Sequence, residues 1–484
     1  MTVNPPAGLT PAEQATLQGR LTALLGSGDA VPDAATLTAG IGDALAAILA
    51  ARTAPVPAAP AQPGLAFETD PARRVVVTGM GAITAIGDDV PAFWDSLLAG
   101  RSGVRVLTRF DATAYPSRIA AEIPAFDPTV YIDRKEVRRM SRPSQLIVAA
   151  ATQALADAGL PIPPEGRDDV GVFIGSGTTS LPETEETMRQ IVRGGGPKVS
   201  PFFCAMVLPN MPGGQLGIHF KLRGPNATTT SACAASSTAI GEAAAMIRRG
   251  AVRAMITGGV EAPLCELGLA AFSATRAMST RNDDPAHAAR PFSADRDGMV
   301  AGEGAGALIL ERLDDALARG AHIYAEVIGN GGSCDAFHIV APDPSGRGAA
   351  LAIGRTLESS GLQPEDVDYI NGHGTATDLN DAMETRAVKQ VFGDHAYKIP
   401  LSVIKPMVGH LLAGCGAVEA IATIKSLETG ILPPTINYTT PDPACDLDYV
   451  PNEARRRPIR VALSQTFGFG GQNAAVLFRR WDGA

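Results

Sequence analysis

Cysteine and histidine are the side chains best suited to act as nucleophile and proton-handling partner near neutral pH. Three of them stand at the ends of periodic segments. Cys233 follows the run Thr228-Thr229-Thr230-Ser231-Ala232 and precedes Ala234-Ala235-Ser236-Ser237 and an Ala-rich stretch. A β-branched run passing through small residues into a helix-period segment predicts strand, sharp turn and helix, with Cys233 at or just before the first helical turn. Unpaired N–H groups and the positive end of the helix dipole favour negative charge there, so the position predicts a lowered thiol pKa and a nucleophile. Taken alone, a cysteine among alanines fits core packing as well. His373 closes a buried-type strand in Asn371-Gly372-His373-Gly374-Thr375-Ala376-Thr377, where the glycines leave room for a ligand against the backbone. His410 ends Lys405-Pro406-Met407-Val408-Gly409-His410 just ahead of another helix, whose positive end predicts a neutral imidazole that donates a hydrogen bond. A thiol and two imidazoles at equivalent termini suit nucleophilic catalysis.

The elements that must position them form an internal echo. The helical stretch 144–160 leads to Asp169-Val170-Gly171-Val172-Phe173-Ile174-Gly175-Ser176-Gly177-Thr178, and later 349–362 leads to Asp366-Val367-Asp368-Tyr369-Ile370-Asn371-Gly372-His373-Gly374-Thr375. The helix after Cys233 has its counterpart in 411–427, and Arg253-Ala254-Met255-Ile256-Thr257-Gly258-Gly259-Val260 is matched by 460–471. Strands alternating with helices in two copies predict two α/β halves around one layered core. Sites then gather where the carboxyl ends of strands from both halves meet.

The 484 residues carry a formal net charge of −9, with 45% hydrophobic and 19% charged residues. That balance disfavours nucleic acid as a partner, because phosphate binding wants a positive field. The six cysteines (Cys204, Cys233, Cys265, Cys334, Cys415 and Cys445) form neither a CxxC pair nor a dense framework, as in a reducing compartment. Neither a signal sequence nor a run of roughly 18 apolar residues is present, so the expected location is cytoplasmic, without a membrane span. Gly79-Met80-Gly81 after the apolar run 75–77 falls short of a dinucleotide fingerprint. The first 66 residues differ in composition. They hold candidate helices at 12–25 and 33–52 and a Pro/Ala-rich stretch at 53–63 that reads as an extended linker.

From about residue 73 to 481 the chain resembles an elongating β-ketoacyl-acyl carrier protein synthase of the synthase II group. The resemblance rests on several separated motifs: 231–237 around Cys233, Ser279-Thr280-Arg281-Asn282-Asp283, Arg290-Pro291-Phe292, Asp295-Arg296-Asp297-Gly298, 373–377, Asn380-Asp381, Lys405 with Gly409-His410, and Phe467-Gly468-Phe469-Gly470-Gly471. It implies the thiolase fold, an α/β architecture of two duplicated halves in a five-layered αβαβα arrangement, here at 67–324 and 325–484. It also implies decarboxylative Claisen condensation in fatty acid biosynthesis. Cys233 would hold the acyl chain as a thioester, and His373 and His410 would stabilise the enolate from malonyl-carrier protein, with Lys405 behind them. The backbone N–H groups of Cys233 and Phe469 would form the oxyanion hole. Phe469 would act as a gate freed by Gly468 and its flanking glycines. Thr375, Thr377 and Gly470 would contact the substrate, and Asp381, Glu384 and His338 would support the site from behind.

The resemblance further implies no bound cofactor and no metal, the substrates riding on the phosphopantetheine arm of acyl carrier protein. The partners expected are that carrier protein and a second synthase-like chain, as homodimer or heterodimer. A type II polyketide or polyene synthase subunit, paired with a chain-length-factor-like partner, is the alternative. A thiolase would carry a second cysteine near 467–471, an initiating synthase an asparagine at 410, and a non-enzymatic partner no Cys233. Pro406 and Gln472-Asn473-Ala474 depart from the family pattern without removing a catalytic group.

Overall fold

The computed structural model describes residues 70, 72–178, 180–194, 196 and 199–483, and the isolated residue 43. The segments expected at 12–25 and 53–63, and all but one residue of 33–52, lie outside the described residues.

Ten strands form one mixed sheet: β1 (Val75–Ile83), β2 (Val170–Ser176), β3 (Asn226–Thr229), β4 (Ala254–Glu261), β5 (Gly304–Arg312), β6 (Ala325–Cys334), β7 (Tyr369–Asn371), β8 (Leu401–Ser402), β9 (Val461–Gly468) and β10 (Gln472–Arg480). Outward from its centre the strand order is β1-β5-β4-β2-β3 on one side and β6-β10-β9-β7-β8 on the other. Numbered within its own half, each side reads 1-5-4-2-3. In each half the first two pairings are antiparallel and the last two parallel. The halves join where β1 meets β6, with Val75 opposite Val327. The duplication legible in the sequence is therefore a duplication of topology.

The principal helices are α1 (Arg142–Ala158), α2 (Ala235–Arg248), α3 (Arg347–Ser360), α4 (Asp378–Phe392) and α5 (Cys415–Thr429). Helix α1 covers β1 and β5, and α3 covers β6 and β10, while α2 and α5 touch each other and strands of both halves. With each five-strand half of the sheet taken as one layer, the order is helix, strands, helix, strands, helix, as expected for the thiolase fold. Small residues permit the middle layer: a Cβ on Gly416 of α5 would lie 2.3 Å from the Ser237 hydroxyl oxygen of α2. Gly79 and Gly81 of β1 have the same use. Added Cβ atoms there would meet the Ala154 and Ala150 carbonyl oxygens of α1 at 2.2 and 2.0 Å. The glycine pair is a helix-on-strand packing device, not a nucleotide loop. Among the described residues no helix is long and apolar enough to cross a membrane.

The strand ends decide where chemistry can occur. β7 ends two residues before His373, β9 runs directly into the turn at Phe469, and β3 leads to Cys233. Strands from both halves thus deliver polar groups to the edge of the α2–α5 layer.

Candidate active site

Cys233 sits in a short 3-10 turn, Ala232–Ala234, that feeds α2. Ala232 has φ +48°, a left-handed conformation that a non-glycine residue holds only at a cost of order 1–3 kcal/mol. The duplicated turn before α5 repeats it at Leu412, φ +45°, and there the residue corresponding to Cys233 is Ala413. One geometry occurs twice, but only one copy carries a nucleophile. Cys233 is 5% exposed, and burial pushes its thiol up to about 12. The positive charge of Lys405 and the backbone N–H of Phe469, bonded to the sulfur, pull the other way. The lowered pKa expected from the helix end is thus corrected. In a dry pocket, desolvation of the thiolate outweighs the dipole.

His410 Nε2 lies 3.2 Å from Cys233 Sγ. Its Nδ1 accepts the Leu412 backbone N–H at 3.3 Å and is 2.9 Å from Cys415 Sγ. His373 stands beside it, ring centroids 5.5 Å apart, with Lys405 Nζ 3.1 Å from its Nδ1. An ammonium and a backbone N–H can only donate, so both Nδ1 atoms accept and both protons reside on Nε2. Both imidazoles are held well below the ordinary histidine range, first by burial and then by Lys405. Neutrality was expected for His410, but a helix end was the expected reason; burial is the larger cause. The sulfur and one nitrogen from each ring lie within 4.8 Å of one another, a spacing that suits a soft metal ion. With protons on Nε2, however, the rings present donors rather than lone pairs. The cluster is built to meet an oxygen that gains negative charge.

Behind the histidines the polar residues are paired. Lys405 is buried and salt-bridged to Glu419 of α5 at 2.5 Å. Burial is the largest single influence and opposes its charge, but Glu419 together with Cys415 and Glu384 outweighs it, and the lysine is held above its ordinary range. Glu384 of α4 accepts the backbone N–H groups of His373 (2.6 Å) and Gly374 (2.7 Å) and the Gln465 amide (2.8 Å). That clamp fixes the strand end from which His373 projects. Asp381 serves the scaffold instead. It accepts the Phe292 backbone N–H at 2.8 Å and faces Arg296 at 3.8 Å, while Phe292 stacks on Tyr449. The Arg290-Pro291-Phe292 and Asp295-Arg296 motifs are therefore joined to α4 through one carboxylate.

A cavity of about 350 Å3 opens over Cys233, His373 and His410, rimmed by exposed Arg276, His338 and Leu379. Thr375 and Thr377 line it with their hydroxyls 2.8 Å apart. Phe469 and Gly468 also line it, and Gly468 is packed so closely that an added Cβ would lie 3.1 Å from the Cys233 nitrogen. Two expected roles change. His338 belongs to the cavity mouth and not behind the histidines, its Nδ1 accepting the Val340 and Ala341 N–H groups. Gly470 does not line the cavity, and its N–H is bonded to the Ile339 carbonyl. Its left-handed φ of +80° instead shapes the turn that carries Phe469.

Sequence reasoning missed Glu419, Cys415 and Asp335. Glu419 had a signal, a lone carboxylate in the apolar run Ala417-Val418-Glu419-Ala420-Ile421. Asp335 bonds Asn473 at 2.7 Å and donates its backbone N–H to the Gly471 carbonyl, anchoring the far side of the turn that carries Phe469. Nothing in the spacing marks it.

A nucleophilic thiol facing two neutral N–H donors, at the meeting of two duplicated α/β halves, defines a condensing enzyme of the thiolase fold. The chain belongs to the β-ketoacyl synthase family. Residues 72–316 match the family's N-terminal domain and 324–439 its C-terminal domain. The 3-oxoacyl-[acyl-carrier-protein] synthase 2 of Synechocystis sp. is 49% identical over 410 residues, 85% of this chain and 99% of that protein. Among solved structures, a beta-ketoacyl synthase from Burkholderia phymatum is 38% identical with a TM-score of 0.79, covering 84% of this chain and 99% of that one. The ishigamide ketosynthase/chain length factor is 36% identical with a TM-score of 0.80, covering 85% and 100%.

Proposed function

We propose that the protein elongates acyl chains on acyl carrier protein, giving 3-oxoacyl-acyl carrier protein for fatty acid biosynthesis. The observation that carries this reading is the pair of Nε2–H donors converging on Cys233 in one cavity. In the first step Cys233 attacks the acyl thioester, the acyl group moves to its sulfur, and the thiol proton leaves with the pantetheine thiol. The oxyanion is met by the backbone N–H groups of Cys233 and Phe469. Malonyl-carrier protein then enters and its carbon–carboxylate bond breaks, releasing carbon dioxide. The electron pair passes to the thioester oxygen, where His373 and His410 donate. The enolate carbon attacks the acyl-Cys233 carbonyl, the carbon–sulfur bond breaks, and the departing thiolate takes one proton from solvent. No metal or organic cofactor takes part.

Thr375 and Thr377 supply hydroxyls to the amides of the pantetheine arm, and swinging of Phe469 separates the two half-reactions. The catalytic halves are 67–324 and 325–484, the first 66 residues forming an extension. The enzyme works in the cytoplasm with acyl carrier protein and a second synthase-like chain.

The likeness to a ketosynthase/chain length factor favours a second reading, the catalytic subunit of a type II polyketide or polyene system. The higher identity to the curated synthase 2 favours fatty acid elongation. Condensation by the purified chain alone, with carrier protein loaded over a series of saturated and unsaturated acyl lengths, separates them. Turnover of saturated chains without a second polypeptide supports elongation. Turnover that requires a similar, cysteine-free chain overturns it.

A further inference from the structure

Cys415 is a second buried thiol at the reacting centre, and the steps above do not use it. It is the first residue of α5, 1% exposed, with Sγ 2.9 Å from His410 Nδ1. The Leu412 N–H, 3.3 Å from the same nitrogen, fixes Nδ1 as an acceptor. The sulfur beside it must therefore be the donor. In the first half the corresponding residue, at the start of α2, is Ala235, so the fold itself does not require sulfur here. The imidazole lies between the two thiols, one at each nitrogen, which keeps Cys233 and Cys415 from meeting as a disulfide.

We infer that Cys415 is a positioning residue: its S–H donates to His410 Nδ1 and holds the ring with Nε2–H aimed at Cys233. Burial keeps the Cys415 thiol protonated and able to donate, and the charge on Glu419 opposes its ionisation while Lys405 favours it. His410 faces Cys233 from α2's turn, His373 from the end of β7 and Cys415 from α5, with Lys405, Glu419 and Glu384 as the nearby charged groups. A donor at Nδ1 opposes protonation at that nitrogen. It therefore lowers the pKa of His410 and keeps the N–H donor available toward acid pH.

The role rests on His410 acting as a neutral donor in condensation, so the test has one arm that needs no turnover. The full-length enzyme with 15N-labelled histidine is titrated by NMR as the unaltered chain, Cys415→Ala and Cys415→Ser. The expected result for Cys415→Ala is a His410 midpoint raised by about half a pH unit, with the acid limb of condensation moving the same way. Condensation falls roughly threefold to tenfold, the effect of one neutral hydrogen bond, while acylation of Cys233 is preserved. Cys415→Ser, which keeps a donor, restores both. An unchanged midpoint in Cys415→Ala, or a serine variant that behaves like the alanine one, overturns the role. Failure of the unaltered enzyme to condense overturns the proposed reaction, and the titration still decides Cys415.

Discussion

Replacing Gly468 by alanine tests the oxyanion geometry with a single methyl group. Gly468 has φ −112° and ψ 157°, extended backbone that alanine adopts freely, so no strain arises from the substitution itself. The added Cβ would lie 2.8 Å from the Ser231 carbonyl oxygen, 3.1 Å from the Cys233 nitrogen and 3.3 Å from the Ala232 Cβ. Two of these neighbours are backbone atoms of the strained turn and cannot rotate away. The turn must therefore shift by several tenths of an ångström, carrying the Cys233 N–H from its place. Overpacking of this kind costs about 1–3 kcal/mol of stability. Loss of one oxyanion donor costs roughly a hundredfold to a thousandfold in rate. Single-turnover acylation by acyl-carrier protein, followed by intact mass, reads the second quantity, and thermal unfolding reads the first. A folded Gly468→Ala enzyme that acylates at the unaltered rate would refute the argument.

Three further outcomes follow from the same contacts. His373→Ala and His410→Ala keep acylation of Cys233 but slow carbon dioxide release from malonyl-carrier protein by roughly a hundredfold to a thousandfold, measured as 14C-labelled carbon dioxide; equal losses in both half-reactions contradict their assignment. Both imidazoles are held below the ordinary histidine range, so they stay neutral donors as pH falls through 6.5 and are lost only in more acid solution. The acid limb of the condensation profile must therefore lie below pH 6.5, and a limb at or above it would show that burial does not control the rings. Lys405→Met leaves Glu419 buried without its counter-charge, at a cost of about 3–5 kcal/mol in denaturant unfolding. Adding Glu419→Gln recovers most of that loss, and a double variant no more stable than Lys405→Met argues against the pair.

Periodicity and motif spacing exposed what is repeated or compositionally sharp. The two halves were legible because strand and helix periods recur, and Cys233, His373 and His410 because they stand at equivalent termini. Their protonation was less legible. Charge at a helix start is a local property that a sequence displays, whereas burial depends on the whole fold; this is why the Cys233 thiol moves opposite to expectation. His338 was misplaced for a related reason, since only the path of the chain after β6 decides whether a residue faces the cavity or lies behind it. Cys415 had no signal at all. Five residues after His410, its sulfur reaches the ring only across the short turn that holds the left-handed Leu412.

The central claim is that Cys233 carries the acyl chain. Intact-mass measurement after mixing the protein with acyl-carrier protein tests it directly. The unaltered enzyme should gain the mass of one acyl group, and Cys233→Ala should gain none while remaining folded. An acyl adduct that persists on Cys233→Ala would contradict the account.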